Sequence, residues 1–214
     1  MTLGGVAGSV PILDRPVETR TPFFSLLGPR NFYAPFVNSM GADMATSKSL
    51  EDRIRAIEDR LEIYNLIASH PPSADTGGNE HIAASWVEDG VFDRGENLSS
   101  PRGREQLANQ VLSAEHQAAI DRGLAHFTSL PHVAIDGDRA VVTSYLQILV
   151  PQTQGDPVDV PNHGSSRGFR VHRMTANRWE LVRTPQGWKI KRRTLRQLDG
   201  SLPARKILQQ AISG

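Results

Sequence analysis

The chain has no cysteine. That excludes disulfides, thiolate catalysis and cysteine-ligated zinc, and it fits a cytoplasmic protein. An excess of charge is missing as well. The 24 Lys and Arg against 23 Asp and Glu give a formal net charge of +1, so nucleic-acid binding, which rests on a basic excess, has no electrostatic basis. No apolar run approaches the roughly 18 residues of a membrane span, and the N-terminus lacks the charged start and continuous apolar stretch of a signal peptide. Neither nucleic acid nor a membrane is therefore expected as a partner. What remains, at 214 residues, is length for one domain with a real core and too little for two comfortable ones.

Regularity is absent from the first part of the chain. Residues 1–46 carry Gly4-Gly5 and five prolines, Pro11, Pro16, Pro22, Pro29 and Pro35. Proline fixes φ and removes a donor, so the stretch is a poor helix and a poor central strand. Its apolar clusters, Phe23-Phe24-Ser25-Leu26-Leu27 and Phe32-Tyr33-Ala34-Pro35-Phe36, do not repeat. It reads as an irregular N-terminal arm or tail, and residues 47–214 as one folded domain.

Order is expected from Ser49, an N-cap with Asp52 three residues on. Leu50, Ile54, Ile57, Leu61, Tyr64 and Ala68 follow at helical spacing and predict one inward face. Pro71-Pro72 is expected to stop that helix. A second helix is expected from about Asn79 to Trp86, a short strand at Val91-Phe92 with a turn at Asp93-Arg94-Gly95, and a third helix over Arg104 to about Ala119. The second half reads as sheet: one strand from His126 to Ile135, a hairpin turn at Asp136-Gly137-Asp138, and a Val/Thr/Tyr/Ile-rich strand over Ala140–Val150. A polar loop from Pro151 to about Ser166 leads to strands over Phe169–Val182 and Trp188 to about Leu198, and Pro203–Ile212 forms a terminal helix. Helices first and a mostly antiparallel sheet afterwards is an α+β domain.

Asp75 and His126 are the leading chemical candidates. A carboxylate that orients and charges an imidazole makes a general base near neutral pH, and the order of elements places the two in one pocket. His70 precedes the Pro-Pro stop, and His172 lies beside Arg170 and Met174 in strand phase. On a regular last strand Trp188, Ile190 and Arg192 share a face, which selects Arg192 over Arg193 and Arg196. His132 shares the parity of His126 but lies nearer the strand end, and His81, His116 and His163 receive no role. The seven histidines include no His-x-x-x-His pair or other compact ligand spacing, so no metal is expected. Gly77-Gly78 lacks the strand-to-helix pattern of a phosphate loop.

Five segments in order carry a resemblance: Ile54 to Asp75; Ala84-Ser85-Trp86-Val87-Glu88-Asp89-Gly90-Val91-Phe92-Asp93; Gly103-Arg104-Glu105; His126 to Tyr145; and Gly187-Trp188-Lys189-Ile190 to Asp199. Over roughly residues 50–200 they resemble the SnoaL-like branch of the nuclear transport factor 2-like superfamily. The resemblance implies a curved, mostly antiparallel sheet wrapped into a cone, closed by N-terminal helices around a deep pocket. Scytalone dehydratase, bile-acid dehydratase and hexachlorocyclohexane dehydrochlorinase of that superfamily are similar in layout. They use an Asp after the first helix and a His on a sheet strand, without a cofactor, and Asp75 and His126 fall at those places. They carry a Tyr or a Lys five residues before the Asp, where this chain has His70. A further acid or His on the strand after the long loop corresponds to His172, and an Arg on the last strand to Arg192.

The implied function is a cofactor-independent lyase of dehydratase type, or an isomerase, acting on a hydrophobic ring-containing small molecule. His126 would be the base, Asp75 its partner, His70 or His172 an aid to the leaving group, and Arg192 the stabiliser of negative charge. The alternative from another class is a non-catalytic ligand-binding or assembly module resembling the small subunit of ring-hydroxylating dioxygenases. A homo-oligomer, dimer or trimer, is expected in either case.

Overall fold

A computed structural model describes residues 49–96 and 98–213, so the expected N-terminal arm lies outside the described residues. The first helix, α1 (Leu50–Ala68), begins at a capping box in which the Ser49 side chain accepts from the Asp52 amide and Asp52 reaches back to the Ser49 amide. Its inward face differs from the expected one. Leu50, Ile54, Ile57 and Leu61 are 46–68% exposed, and the buried positions are Asp59, Ile63 and Ile67. The reason is polar. Arg183 grips both Asp59 oxygens at 2.5 and 2.6 Å, and the Trp188 indole N–H donates to Asp59 at 3.1 Å. The Trp188 amide donates to Glu62 at 2.7 Å. These bonds turn α1 so that a carboxylate, not the apolar stripe, meets the sheet.

Pro71-Pro72 does end α1, and it also starts the next helix. Proline is tolerated in a first turn, where amides have no helical acceptor. Ser69 caps α1, and α2 (His70–Asp75) follows directly. Next come α3 (Asn79–Ser85) and β1 (Trp86–Asp93), then α4 (Arg104–Asn109), a 3-10 turn at Gln110–Leu112 and α5 (Ala114–Asp121). The single helix expected over Arg104 to Ala119 is thus broken in two, with Ser113 capping α5 through the His116 amide.

The expected strand from His126 to Ile135 is also two, β2 (Ala125–Thr128) and β3 (His132–Asp136). Leu130-Pro131 turns the corner between them. The long strand β4 (Arg139–Pro151) pairs with β2 at one end and β3 at the other. The polar loop contains a small hairpin, β5 (Val158–Val160) with β6 (Gly164–Ser166). Then β7 (Phe169–Thr184) and β8 (Gly187–Gln197) complete the order β1-β8-β7-β4-β2, with β3 beside β4. All pairs are antiparallel except β1 with β8, and the curved sheet does not close on itself. The helix α6 (Leu202–Ile212) packs Ala204 and Ile207 on Ala176. The main core fills the other face with Trp86, Trp179, Trp188, Ile190, Val142 and Leu146, each at most 2% exposed. The architecture is α+β, as expected, and among the described residues no helix is long and apolar enough to cross a membrane.

Candidate functional site

Two register rows across the sheet build the site. In the first, His126 of β2 faces Ile148 of β4, which faces Arg173 of β7. In the second, Phe92 of β1 faces Arg193 of β8, then Trp179 of β7, then Val142 of β4. Cross-strand partners point to the same side of a sheet, so both rows project into the concavity. The helices α2 to α5 cover it. The result is a pocket with about 600 Å³ of empty space, counting its open end. Ile82, Trp86, Leu107, Val111, Leu146 and Ile148 form its apolar walls, and His70, His116, His126, Arg94, Arg173 and Arg193 are its charged or titratable lining.

Asp75 is the last residue of α2, where a negative charge opposes the helix dipole. It is held there by His126. The His126 amide donates to the two Asp75 oxygens at 3.0 and 3.2 Å, and Nδ1 of the ring lies 2.5 Å from Oδ1. The side chains are 14% and 24% exposed for His126 and Asp75. A carboxylate only accepts, so Nδ1 carries the proton, and the acceptor site of the uncharged form of the ring is Nε2. The His116 ring lies 5.9 Å away between centroids. Its Nε2 donates to the Ala74 carbonyl at 2.8 Å, which ties α5 to the helix that carries Asp75.

His70 also lines the pocket, but not as a free acid. Its Nε2 accepts from the Arg193 guanidinium, so its proton sits on Nδ1. Its ring meets Trp179 edge-on at 5.2 Å. Burial first, and then the Arg193 charge, push its imidazole well below the ordinary 6.5, so it is neutral at physiological pH. His70 thus meets Arg193 as an acceptor.

Two of the candidates face away, each because of a β-bulge. On β8 the register steps from Leu181 with Ile190 to Glu180 with Arg192. The extra residue, Lys191, reverses the parity, so Trp188 and Ile190 point inward and then Arg193 and Leu195. Arg192 lines no part of the pocket, and the competitor Arg193 takes the place expected for it. On β7 the register steps from Ile148 with Arg173 to Leu149 with Val171. His172 is the bulged residue. It is exposed, and Arg173 beside it enters the pocket. His132 is exposed too, since the corner at Leu130-Pro131 ends the parity it would share with His126.

Sequence reasoning gave no role to three pocket residues, His116, Arg94 and Arg173, and ranked Arg193 behind Arg192. The inward direction of Arg173 and Arg193 is invisible without the bulges. Arg94 was placed in a turn, which is correct, but no pattern signals that a turn bends back over Phe92, 5.7 Å from the guanidinium. The helix carrying His116 was legible, but not its docking on Ala74. Among the described residues, no three His, Asp or Glu side chains converge as a metal site would require.

The fold is that of nuclear transport factor 2-like proteins, also described as cystatin-like. A solved structure of such a protein from Novosphingobium aromaticivorans is 35% identical, with a TM-score of 0.66 over 75% of this chain and 95% of that one. Residues 55–194 match the SnoaL-like domain, and this chain belongs to that family. Two more distant structures share the fold. One is a protein of unknown function from Mycobacterium tuberculosis (18% identity, TM-score 0.54, 80% of this chain and 94% of that one). The other is a protein from Catenulispora acidiphila in complex with S-DNPA (18% identity, TM-score 0.50, 64% of this chain and 92% of that one). No curated protein matches the sequence.

Proposed function

We propose that this protein is a cofactor-independent lyase of dehydratase type, or an isomerase, acting on a hydrophobic ring-containing small molecule. The observation that carries the reading is the 2.5 Å contact of Asp75 with His126 Nδ1, which leaves Nε2 as a base at a largely apolar pocket. His126 Nε2 takes the proton from a carbon next to a carbonyl. The C–H electron pair moves into a carbon–carbon double bond. In an elimination the hydroxyl on the next carbon departs with its bonding pair and receives the proton back from Nε2, leaving as water. In an isomerisation a double bond already present between the next two carbons gives its pair to the same proton at the far carbon, as the new double bond forms next to the carbonyl. One group thus serves as base and then acid, with Asp75 stabilising the imidazolium between the two steps. His70, whose Nε2 accepts from Arg193, is outside this proton path.

The test is hydrogen exchange. A panel of ring ketones with and without a β-hydroxyl is incubated in deuterated buffer with wild type, His126→Gln and Asp75→Asn, and followed by proton NMR. Loss of the α-proton signal with wild type, absent with His126→Gln and slowed about a hundredfold or more with Asp75→Asn, is expected. A panel in which every member binds and none exchanges would move the assignment to a binding module.

One observation favours that second reading, a ligand-binding or assembly module. The apolar stripe of α1 is solvent-facing, as a surface that packs on another copy would be. If the stripe is the contact of a homodimer or homotrimer, Ile57→Lys should reduce the sedimenting mass to that of one chain.

A further inference from the structure

The pocket carries more positive charge than a lone general base uses. Arg94, Arg173 and Arg193 line it, and among the described residues no Asp or Glu does. Four guanidiniums outside the pocket do meet a carboxylate: Arg183 with Asp59 and Asp138, Arg196 with Asp93, Arg178 with Glu180, and Arg104 with Glu88. Among the described residues the three pocket arginines form no ion pair with a carboxylate.

Arg193 is the extreme case. It is 1% exposed and stacked between two aromatic faces, 4.0 Å from the Trp179 centroid and 4.6 Å from that of Phe92. Its Nε donates to Asn177 Oδ1 at 3.1 Å and its Nη1 to His70, both neutral groups. Among the described residues its Nη2 meets no acceptor, and neither do Arg173 Nε or Asn177 Nδ2. All three are buried donors. Burial, then Arg94 and Arg173, push the Arg193 guanidinium down from its usual range. Burial and then Arg173 do the same to Arg94. The three therefore feel one another, and a guanidinium starts so far above neutrality that each keeps its proton. Buried cations with unfilled donors and no counter-charge are costly unless a ligand supplies the anion.

We propose that Arg94, Arg173 and Arg193 form an anion subsite, and that the ligand of this pocket is a ring compound bearing a carboxylate. The paired N–H groups of a guanidinium match the two oxygens of a carboxylate, whereas a phenol stays neutral at physiological pH. The row His126–Ile148–Arg173 then sets the ligand's direction. The carboxylate sits at the arginine end, and the ring runs along Ile148 toward the His126 base. The inference deepens the proposed function and rests on this pocket being the small-molecule site, but not on any reaction there.

The experiment is a matched-pair titration of the full chain with naphthoate and naphthamide, which share a ring and differ in charge. Binding is read by tryptophan fluorescence, because Trp86 lines the pocket and Trp179 stacks on Arg193. Naphthoate is expected to bind at least about tenfold more tightly than naphthamide, the worth of a charged hydrogen bond. In Arg173→Met the naphthoate affinity should fall to that of naphthamide, while naphthamide affinity is unchanged. Arg173 is only partly buried, so this variant does not depend on repacking the core; Arg94→Met is the second such variant. Equal affinities in wild type, or a preference that survives both substitutions, would overturn the subsite. The exchange assay on wild type separates the two proposals. A carboxylate preference in a wild-type protein that exchanges no substrate proton upholds the subsite and sinks the enzyme reading.

Discussion

Two arginines on neighbouring strands show what a buried charge is for. Arg183, near the end of β7, meets Asp59 with two nitrogens and Asp138 with a third, and its guanidinium lies 4.5 Å over the Trp188 ring. Asp59, only 7% exposed, is held below the usual carboxylate range, chiefly by Arg183. Arg183 is held above the usual arginine range by the same partner. The pair is complete and fastens α1 to the β7–β8 hairpin. Arg193, ten positions later on β8, has the same stacked geometry and, among the described residues, no carboxylate partner. Its polar contacts are an amide, an imidazole and an unfilled donor. A closed group of charges points to structure, and an open one to a ligand. That difference, more than burial or stacking, separates the clasp from the pocket.

The sharpest way to split the two regions is through their carboxylates. Asp75→Asn should lower turnover of a substrate found in the exchange screen by about a thousandfold, equivalent to ~4 kcal/mol in the barrier. Its melting temperature should stay close to that of wild type, since Asn can still accept from the His126 amide. Equal loss of stability and activity would mean that Asp75 is a structural cap. Breaking the clasp has the opposite signature. Arg183→Met leaves Asp59 buried without its cation and should destabilise the fold by about 3 kcal/mol, read by urea denaturation, while ligand affinity in the folded protein is kept.

Arg193→Met is the mirror experiment. It removes an unmatched buried cation, which is favourable, but strips His70 and Asn177 of a donor, which costs. These terms oppose, so stability should change by no more than about 1.5 kcal/mol, half the effect at Arg183 or less. A loss as large as that of Arg183→Met would remove the contrast between the two sites.

The smallest effect is in pH dependence. The folded His70 imidazole titrates below its unfolded value of 6.5. As pH falls through 6.5 the unfolded chain takes a proton that the folded chain refuses, so stability drops. Above that pH the term vanishes. The slope is at most about 1.4 kcal/mol per pH unit. His70→Asn, whose amide oxygen can still accept from Arg193, should flatten the melting temperature measured between mildly acid and neutral pH relative to wild type. An unchanged slope would show that His70 is not the buried neutral group described.

Much of the fold was readable from particular residues. Ser49 and Asp52 marked the start of α1, Asp136-Gly137-Asp138 the hairpin, and the Val/Thr/Tyr/Ile-rich run the strand β4. The Asp75–His126 pair was readable too, through the order of elements and the resemblance. Other features escaped because they depend on distant partners. The inward face of α1 was misread since the stripe Leu50-Ile54-Ile57-Leu61 has the stronger period, while Asp59 is drawn inward by Arg183, 124 residues away. Arg192 follows from strand parity and His172 from the resemblance to a strand after the long loop, and a bulge turns each of them outward.

The sequence by itself determined the class of this domain, the start of its first helix and its main hairpin, and which acid and imidazole are paired. Those depend on local propensity, hydrophobic period and chain order. Only the tertiary structure decided which arginines enter the pocket. One extra residue in a strand turns every following side chain to the other face. Whether that residue is accommodated as a bulge is settled by the register of the neighbouring strands, so no local pattern of residues records it.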